Sequence, residues 1–182
     1  MDVDLAYAGM DQRRAHMLAR DAADKLGWRK PIALHTPLLP GLGGGNRMDP
    51  AESKMSKSKP DRNITIHDSK EEISRKMKKA FCPQEKEAED TNPVLMLCRY
   101  VIFPRMGRLV IDRPEKFGGM VAYDSYEELT EAYFGGSLFP LDLKNGVSDA
   151  LAETLKPVSD YFGKRPENLE ALKEVLVKLG KM

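Results

Sequence analysis

The sequence predicts an α/β unit followed by an all-α unit, and three observations carry that prediction. Two short apolar runs flank a helix-period segment near the N-terminus, the strand–helix–strand order of a parallel crossover. A long irregular stretch from Thr36 to about Asn63 follows, rich in glycine and proline. Beyond it nearly every segment carries helical spacing or a helix cap. At 182 residues the chain suits one ordinary domain or two small ones.

Taken in order, residues 3–8 form a short strand that Gly9 breaks. Residues 10–26 form a helix, with Met10, Leu18, Ala22 and Leu26 at helical spacing and Gly27 as its stop. Residues 31–35 form a second short, buried strand. After the glycine-rich stretch, residues 69–80 start at a Ser69 cap, with Glu71 and Glu72 in the first turn and Lys76, Lys78 and Lys79 in the last, as the helix dipole favours. Asn92-Pro93 opens a helix over 92–103, in which Val94, Leu97, Tyr100 and Val101 are assigned to the core. Residues 109–111 form a small strand and 125–134 a short helix. Pro140 opens a longer helix over 140–162, bent or broken at Pro157. Residues 166–179 close the chain, with Leu169, Leu172, Leu176 and Leu179 as a packing stripe. The boundary between units falls near residue 68, giving domains over 1–68 and 69–182.

Composition narrows the function. Charged residues make up 31% but the net charge is only +1, so any polyanion site must be local. Residues 53–79 hold nine Lys/Arg against four acids, either a solvated surface or a place for phosphates. Two cysteines and three histidines (His16, His35, His67) make no zinc signature and no disulfide scaffold, so a reducing cytoplasm is expected. No apolar run reaches membrane-span length, and Met1-Asp2-Val3-Asp4 lacks the features of a signal peptide.

Three strings carry chemistry. Gly41-Leu42-Gly43-Gly44-Gly45-Asn46 fails as a dinucleotide fingerprint, because Asn46 stands where glycine is needed; it reads as a hinge. Lys54-Met55-Ser56-Lys57-Ser58 interleaves two lysines with hydroxyls. Such a group either arises by chance or wraps a polyphosphate, stabilising charge on a leaving pyrophosphate. Gly9-Met10-Asp11-Gln12-Arg13-Arg14 sits where a strand passes into a helix, the usual ligand edge of an α/β sheet. There Gln12 is either an exposed first-turn residue or a two-way hydrogen-bonding partner for a small polar ligand.

Those strings, in that order with Pro31–Leu42 between them, resemble tyrosyl-tRNA synthetases of the archaeal and eukaryotic type. So do Lys78-Lys79-Ala80-Phe81-Cys82, Arg113-Pro114-Glu115-Lys116-Phe117-Gly118-Gly119 and Pro140-Leu141-Asp142-Leu143-Lys144-Asn145. The resemblance implies a partial class I Rossmann-type catalytic domain, keeping its last strand–helix–strand and its Lys-Met-Ser-Lys-Ser loop, followed by a helical anticodon-binding domain. It implies that Gln12 contacts tyrosine and that Arg13 lies near the acceptor stem of tRNA-Tyr. It also implies that Lys54, Met55, Ser56, Lys57 and Ser58 hold ATP and the pyrophosphate side of the transition state. Phe117 would stack on the first anticodon base, Asp142 would accept hydrogen bonds from that guanine, and Phe139 stands where archaeal relatives can carry histidine. ATP enters as a substrate with Mg²⁺, with no prosthetic group and no other metal, and the complete enzyme is a homodimer.

The family's His-Ile-Gly-His-type motif is absent from these residues. The chain is therefore expected to be the C-terminal half of such an enzyme, inactive alone; a non-catalytic tRNA-binding module is the alternative. Half of a parallel sheet has an unpaired edge and an uncovered apolar face. Residues 1–60 are accordingly expected to be poorly ordered, domain-swapped or dimerised when isolated.

Overall fold

The computed structural model describes residues 3–44 and 60–179. β1 (Leu5–Gly9) and β2 (Ile32–Thr36) pair in parallel, Leu5 beside Ile32 and Gly9 beside Thr36. A 3-10 turn, Met10–Gln12, leads from β1 into α1 (Arg13–Lys25). The expected crossover is present, with Gly9 as the last strand residue rather than a breaker.

Successive strand residues face opposite ways. The register therefore puts Leu5, Tyr7, Ile32 and Leu34 on one face, and Ala6, Ala8, Ala33 and His35 on the other. α1 covers the small-residue face: His16 Nδ1 lies 3.1 Å from His35 Nε2, and the Arg20 guanidinium donates to the Pro31 carbonyl. The large-residue face is more than half exposed throughout, from 52% at Leu34 to 67% at Ile32. β2 is thus not the buried strand its composition suggests. The stripe expected to seat α1 is also turned outward. Met10, Leu18, Ala22 and Leu26 are exposed, while Ala23 is buried in the row that His16 and Arg20 direct to the sheet. Polar anchors, not the leucines, set the orientation of α1.

The second unit is helical. Ser69 and Glu72 close a capping box at the start of α2 (Lys70–Lys78). A 3-10 segment, Lys86–Thr91, precedes α3 (Pro93–Leu97), which Asn92 caps by accepting from the N–H groups of Val94 and Leu95. The helix continues through a π turn, Cys98–Ile102, into α4 (Phe103–Met106). Pro104 has no N–H to give to the carbonyl one turn back, and the chain widens just before it. That shift carries Tyr100 to the surface at 38% exposure, so it is not a core residue. β3 (Leu109–Ile111) pairs antiparallel with β4 (Val121–Tyr123), a strand the sequence did not signal.

Ser125 caps α5 (Tyr126–Phe134). α6 (Pro140–Lys164) runs through Pro157 without a break, and α7 (Pro166–Lys178) closes the described chain. The α7 stripe does not pack as expected: Leu169 and Leu176 are half-buried, and Leu172 and Leu179 are exposed. The core joins Ile73 and Met77 of α2 to Val94, Leu95, Ile102, Leu129, Tyr133, Leu143 and Val147. Gly146 lets α6 meet β3, since a Cβ there would lie 2.6 Å from Ile111. Leu42, from the segment after β2, is buried in this same core, with Leu39 and Ile64 against it. Among the described residues no helix is long and apolar enough to cross a membrane.

Candidate functional site

Two places gather the residues singled out in the sequence. The first lies at the carboxyl end of β1 and β2. Gln12 and Arg13 leave β1 there, both exposed, beside the end of β2 at Thr36. Gln12 and Arg13 are thus exposed at the edge where open α/β sheets usually take their ligands.

The chain next approaches the Lys-Met-Ser-Lys-Ser string. Lys54, Met55, Ser56, Lys57 and Ser58 lie outside the described residues. The segments on either side of them are tied together. The N–H of Leu42 donates to the Arg62 carbonyl at 2.9 Å, and the N–H of Phe81 donates to the Leu42 carbonyl at 2.7 Å. Arg75 of α2 pairs with Asp61 at 3.0 Å. Deeper, the Lys76 ammonium meets Asp68 at 2.6 Å, with both side chains 6% exposed. Burial of Asp68 opposes ionisation. Hydrogen bonds from Lys76 and from the Thr65 hydroxyl and N–H outweigh it and hold the carboxyl below its ordinary range.

The second place is formed by the β3–β4 loop and the start of α6. A 3-10 turn, Glu115–Phe117, presents Phe117 at 54% exposure, with the Lys116 ammonium 4.9 Å from its ring centroid. Phe139, the residue before α6, is 56% exposed. Asp142, in the first turn of α6, is half-buried. Among the described residues its carboxylate takes no hydrogen-bond or ion-pair partner. An exposed ring three residues before a carboxylate with open acceptor sites, and a second exposed ring on the neighbouring loop, suit an unstacked base, which offers a face to stack and an edge of donors.

Arg113 joins the parts. Its Nε donates to the Gly119 carbonyl at 3.2 Å, and its Nη1 donates to the Ser137 carbonyl at 3.2 Å. Sequence reasoning quoted Arg113 within a string but gave it no role. The structure brings the Phe117 loop and the Phe139–Asp142 segment together through it. No hydrogen bond or ion pair among the described residues links Gln12 or Arg13 to that group.

Burial pushes the thiols of Cys82 and Cys98 up, so neither is poised as a thiolate nucleophile. Among the described residues no group of three or more His, Cys, Asp or Glu side chains is placed to hold a metal ion.

Comparison with known proteins bears on both places. The family described as tRNA synthetases class I (W and Y) matches residues 1–156. The tyrosine–tRNA ligase of Aeropyrum pernix is 50% identical over 168 residues, which is 87% of this chain and 46% of that protein. That of Saccharolobus solfataricus is 43% identical over 185 residues, 96% of this chain and 50% of that protein. Among solved structures, the tyrosyl-tRNA synthetase of Aeropyrum pernix superposes with a TM-score of 0.80 at 44% identity, covering 96% of this chain and 48% of that one. The Archaeoglobus fulgidus enzyme, complexed with L-tyrosine, gives 0.72 at 45% identity, covering 85% of this chain and 45% of that one. The chain spans about half the length of the curated relatives it matches. With most of its length matched, and with its crossover and helical unit both falling within solved synthetases, the chain belongs to the class I tRNA synthetase family (W and Y).

Proposed function

We propose that the chain supplies the pyrophosphate-side loop and the tRNA-reading unit of a tyrosine–tRNA ligase. In that reaction the tyrosine carboxylate attacks the α-phosphorus of ATP, forming tyrosyl-adenylate and releasing pyrophosphate. A ribose hydroxyl at the 3′ end of tRNA-Tyr then takes the tyrosyl group from the adenylate, and AMP leaves. Gln12 holds tyrosine and Arg13 meets the acceptor stem. Lys54, Met55, Ser56, Lys57 and Ser58 stabilise the departing pyrophosphate of ATP, which carries Mg²⁺. Residues 1–68 serve the nucleotide-binding fold and residues 69–182 the anticodon. Phe117 stacks on the first anticodon base, Asp142 accepts from its guanine, and Phe139 flanks it. The exposed Leu5–Tyr7–Ile32–Leu34 face seats further strands and helices of the active enzyme, which works as a cytoplasmic homodimer.

The observation that carries this reading is the Asp142 carboxylate, which has no partner among the described residues, in the first turn after the exposed Phe139, with the exposed Phe117 loop tied to that segment through Arg113. The test is binding of the purified chain to a tRNA-Tyr transcript and to one with the first anticodon guanine replaced, at two salt concentrations. The expected result is tighter binding of the unaltered transcript at both salts. Equal binding of the two transcripts by the folded chain would overturn the anticodon assignment. The buried core of the helical unit favours a second reading, in which this chain alone binds tRNA without catalysis. ATP–pyrophosphate exchange by the chain alone would exclude it.

A further inference from the structure

We propose that Arg113 is a positioning residue for anticodon recognition: one guanidinium sets the Phe117 ring in fixed relation to Phe139 and Asp142. The inference rests on the tRNA reading above and adds to it the residue through which the two halves of the base site act as one.

The loop between β3 and β4 needs such a device. It runs from Asp112 to Met120, and its own hydrogen bonds are short-range turn bonds: Phe117 N–H and Gly119 N–H to the Pro114 carbonyl, and Gly118 N–H to the Glu115 carbonyl. These shape the turn without fixing where it lies. Arg113 does both. Nε closes the loop on the Gly119 carbonyl, and Nη1 reaches out to the Ser137 carbonyl. Gly118 makes room for it: a Cβ there would lie 3.0 Å from Nη2, on a backbone with φ of +99° that side chains rarely adopt.

The far anchor is rigid. Ser137 N–H and Oγ both donate to the Ala132 carbonyl at 3.0 Å, and Leu138 N–H donates to the same oxygen at 3.1 Å. Leu138 is fully buried, and Gln84 donates to its carbonyl at 3.3 Å. Phe139 follows directly, and Asp142 three residues later. A base that stacks on Phe117 and bonds to Asp142 then meets a site already in register, without first ordering a loop. Arginine fits the task because its planar fork carries separate donors in fixed directions; a single lysine ammonium does not reproduce both bonds.

The experiment has two arms on the full chain. In the first, amide hydrogen exchange compares wild type with Arg113→Met. Faster exchange at Phe117, Gly118 and Gly119, with the helical core amides unchanged, is expected. Unchanged exchange in the loop of the folded variant overturns the positioning role whatever the tRNA result. The second arm is a double-mutant cycle with Phe117→Ala, read as the preference for the tRNA-Tyr transcript over the transcript with its anticodon guanine replaced. Arg113→Met is expected to cut that preference roughly tenfold. In the Phe117→Ala background it is expected to cut it no further. Arg113→Lys is expected to fail to rescue. Equal losses in the two backgrounds overturn the proposal, because Arg113 then acts by itself. Loss of exchange protection at the loop in Arg113→Met, with no transcript preference in wild type, leaves the loop anchor standing but refutes the anticodon reading and this role with it.

Discussion

Leu5, Tyr7, Ile32 and Leu34 are all more than half exposed, whereas Val94, Leu95, Ile102 and Leu129 are fully buried. Both sets are ordinary core-forming residue types. The difference lies in the number of layers around them. The helical unit has a buried core drawn from α2, α3, α5, α6 and β3, with Leu42 of the segment after β2 added to it. The β1–α1–β2 unit has one helix on one face of a two-stranded sheet, and two strands are marginal by themselves. Its bare apolar face is the kind of surface that marks a contact with further polypeptide. The helical unit is a finished core, and the crossover is an unfinished one held to its helix by polar anchors.

The ion pairs follow the same division and give the largest expected effect. Asp68 and Lys76 meet in the interior of the helical unit, while Asp4–Arg29 and Asp24–Lys30 of the crossover are solvent-exposed. Asp68→Asn leaves the Lys76 ammonium buried without a counter-charge, and breaking such a pair costs about 3–5 kcal/mol. Asp4→Asn is expected to cost less than about 1 kcal/mol. Urea unfolding of each variant measures both. Adding Lys76→Met to Asp68→Asn is expected to restore most of the loss. Similar costs for Asp68→Asn and Asp4→Asn would break the comparison.

Leucine truncations sharpen it. Leu95→Ala removes a fully buried side chain and leaves a cavity in the helical core, at a cost of about 2–5 kcal/mol. Leu18, 71% exposed on α1, is expected to tolerate the same change within about 0.5 kcal/mol in this chain. Should Leu18→Ala prove as costly as Leu95→Ala in urea unfolding, the α1 surface is covered in solution, by a second copy or by a rearranged crossover.

The local signals were legible because they are local. Ser69 with its first-turn acids, and Asn92 with Pro93, each mark a helix start by chemistry within one turn, and both caps are present. The parallel crossover was legible from its order of apolar and helical segments. What neighbours decide was not legible. The strand at 32–36 has the residues of a buried strand, but burial needs a second layer that these residues do not encode. The run from Val94 to Phe103 is apolar on nearly every side, so periodicity could not show that a π turn before Pro104 would carry Tyr100 outward. At the candidate site, Phe117 and Asp142 are singled out only through family likeness, since an exposed ring and a first-turn acid are common surface features. Arg113 escaped because both its acceptors are backbone carbonyls, one of them 24 residues away, and no side-chain pattern marks them.

The smallest expected effect tests whether the buried pair, rather than packing alone, distinguishes the helical unit. The folded-state carboxyl of Asp68 is held below its ordinary value, against the opposing pull of burial, by its bonds to Lys76 and Thr65. A depressed carboxyl contributes stability above the unfolded value, near pH 4, and that contribution is lost as pH falls through the folded value. The stability difference between wild type and the Asp68→Asn/Lys76→Met variant is therefore expected to stay level from neutral pH down to about 4. Below that it should drift against wild type by at most about 1.4 kcal/mol per pH unit. The double variant is the right reference, because it lacks the titrating group without stranding an ammonium. A difference that stays level to the acid end of the unfolding curve would mean that Asp68 protonates equally in both states. The pair would then be a consequence of the fold around α2 and not one of the interactions that hold it.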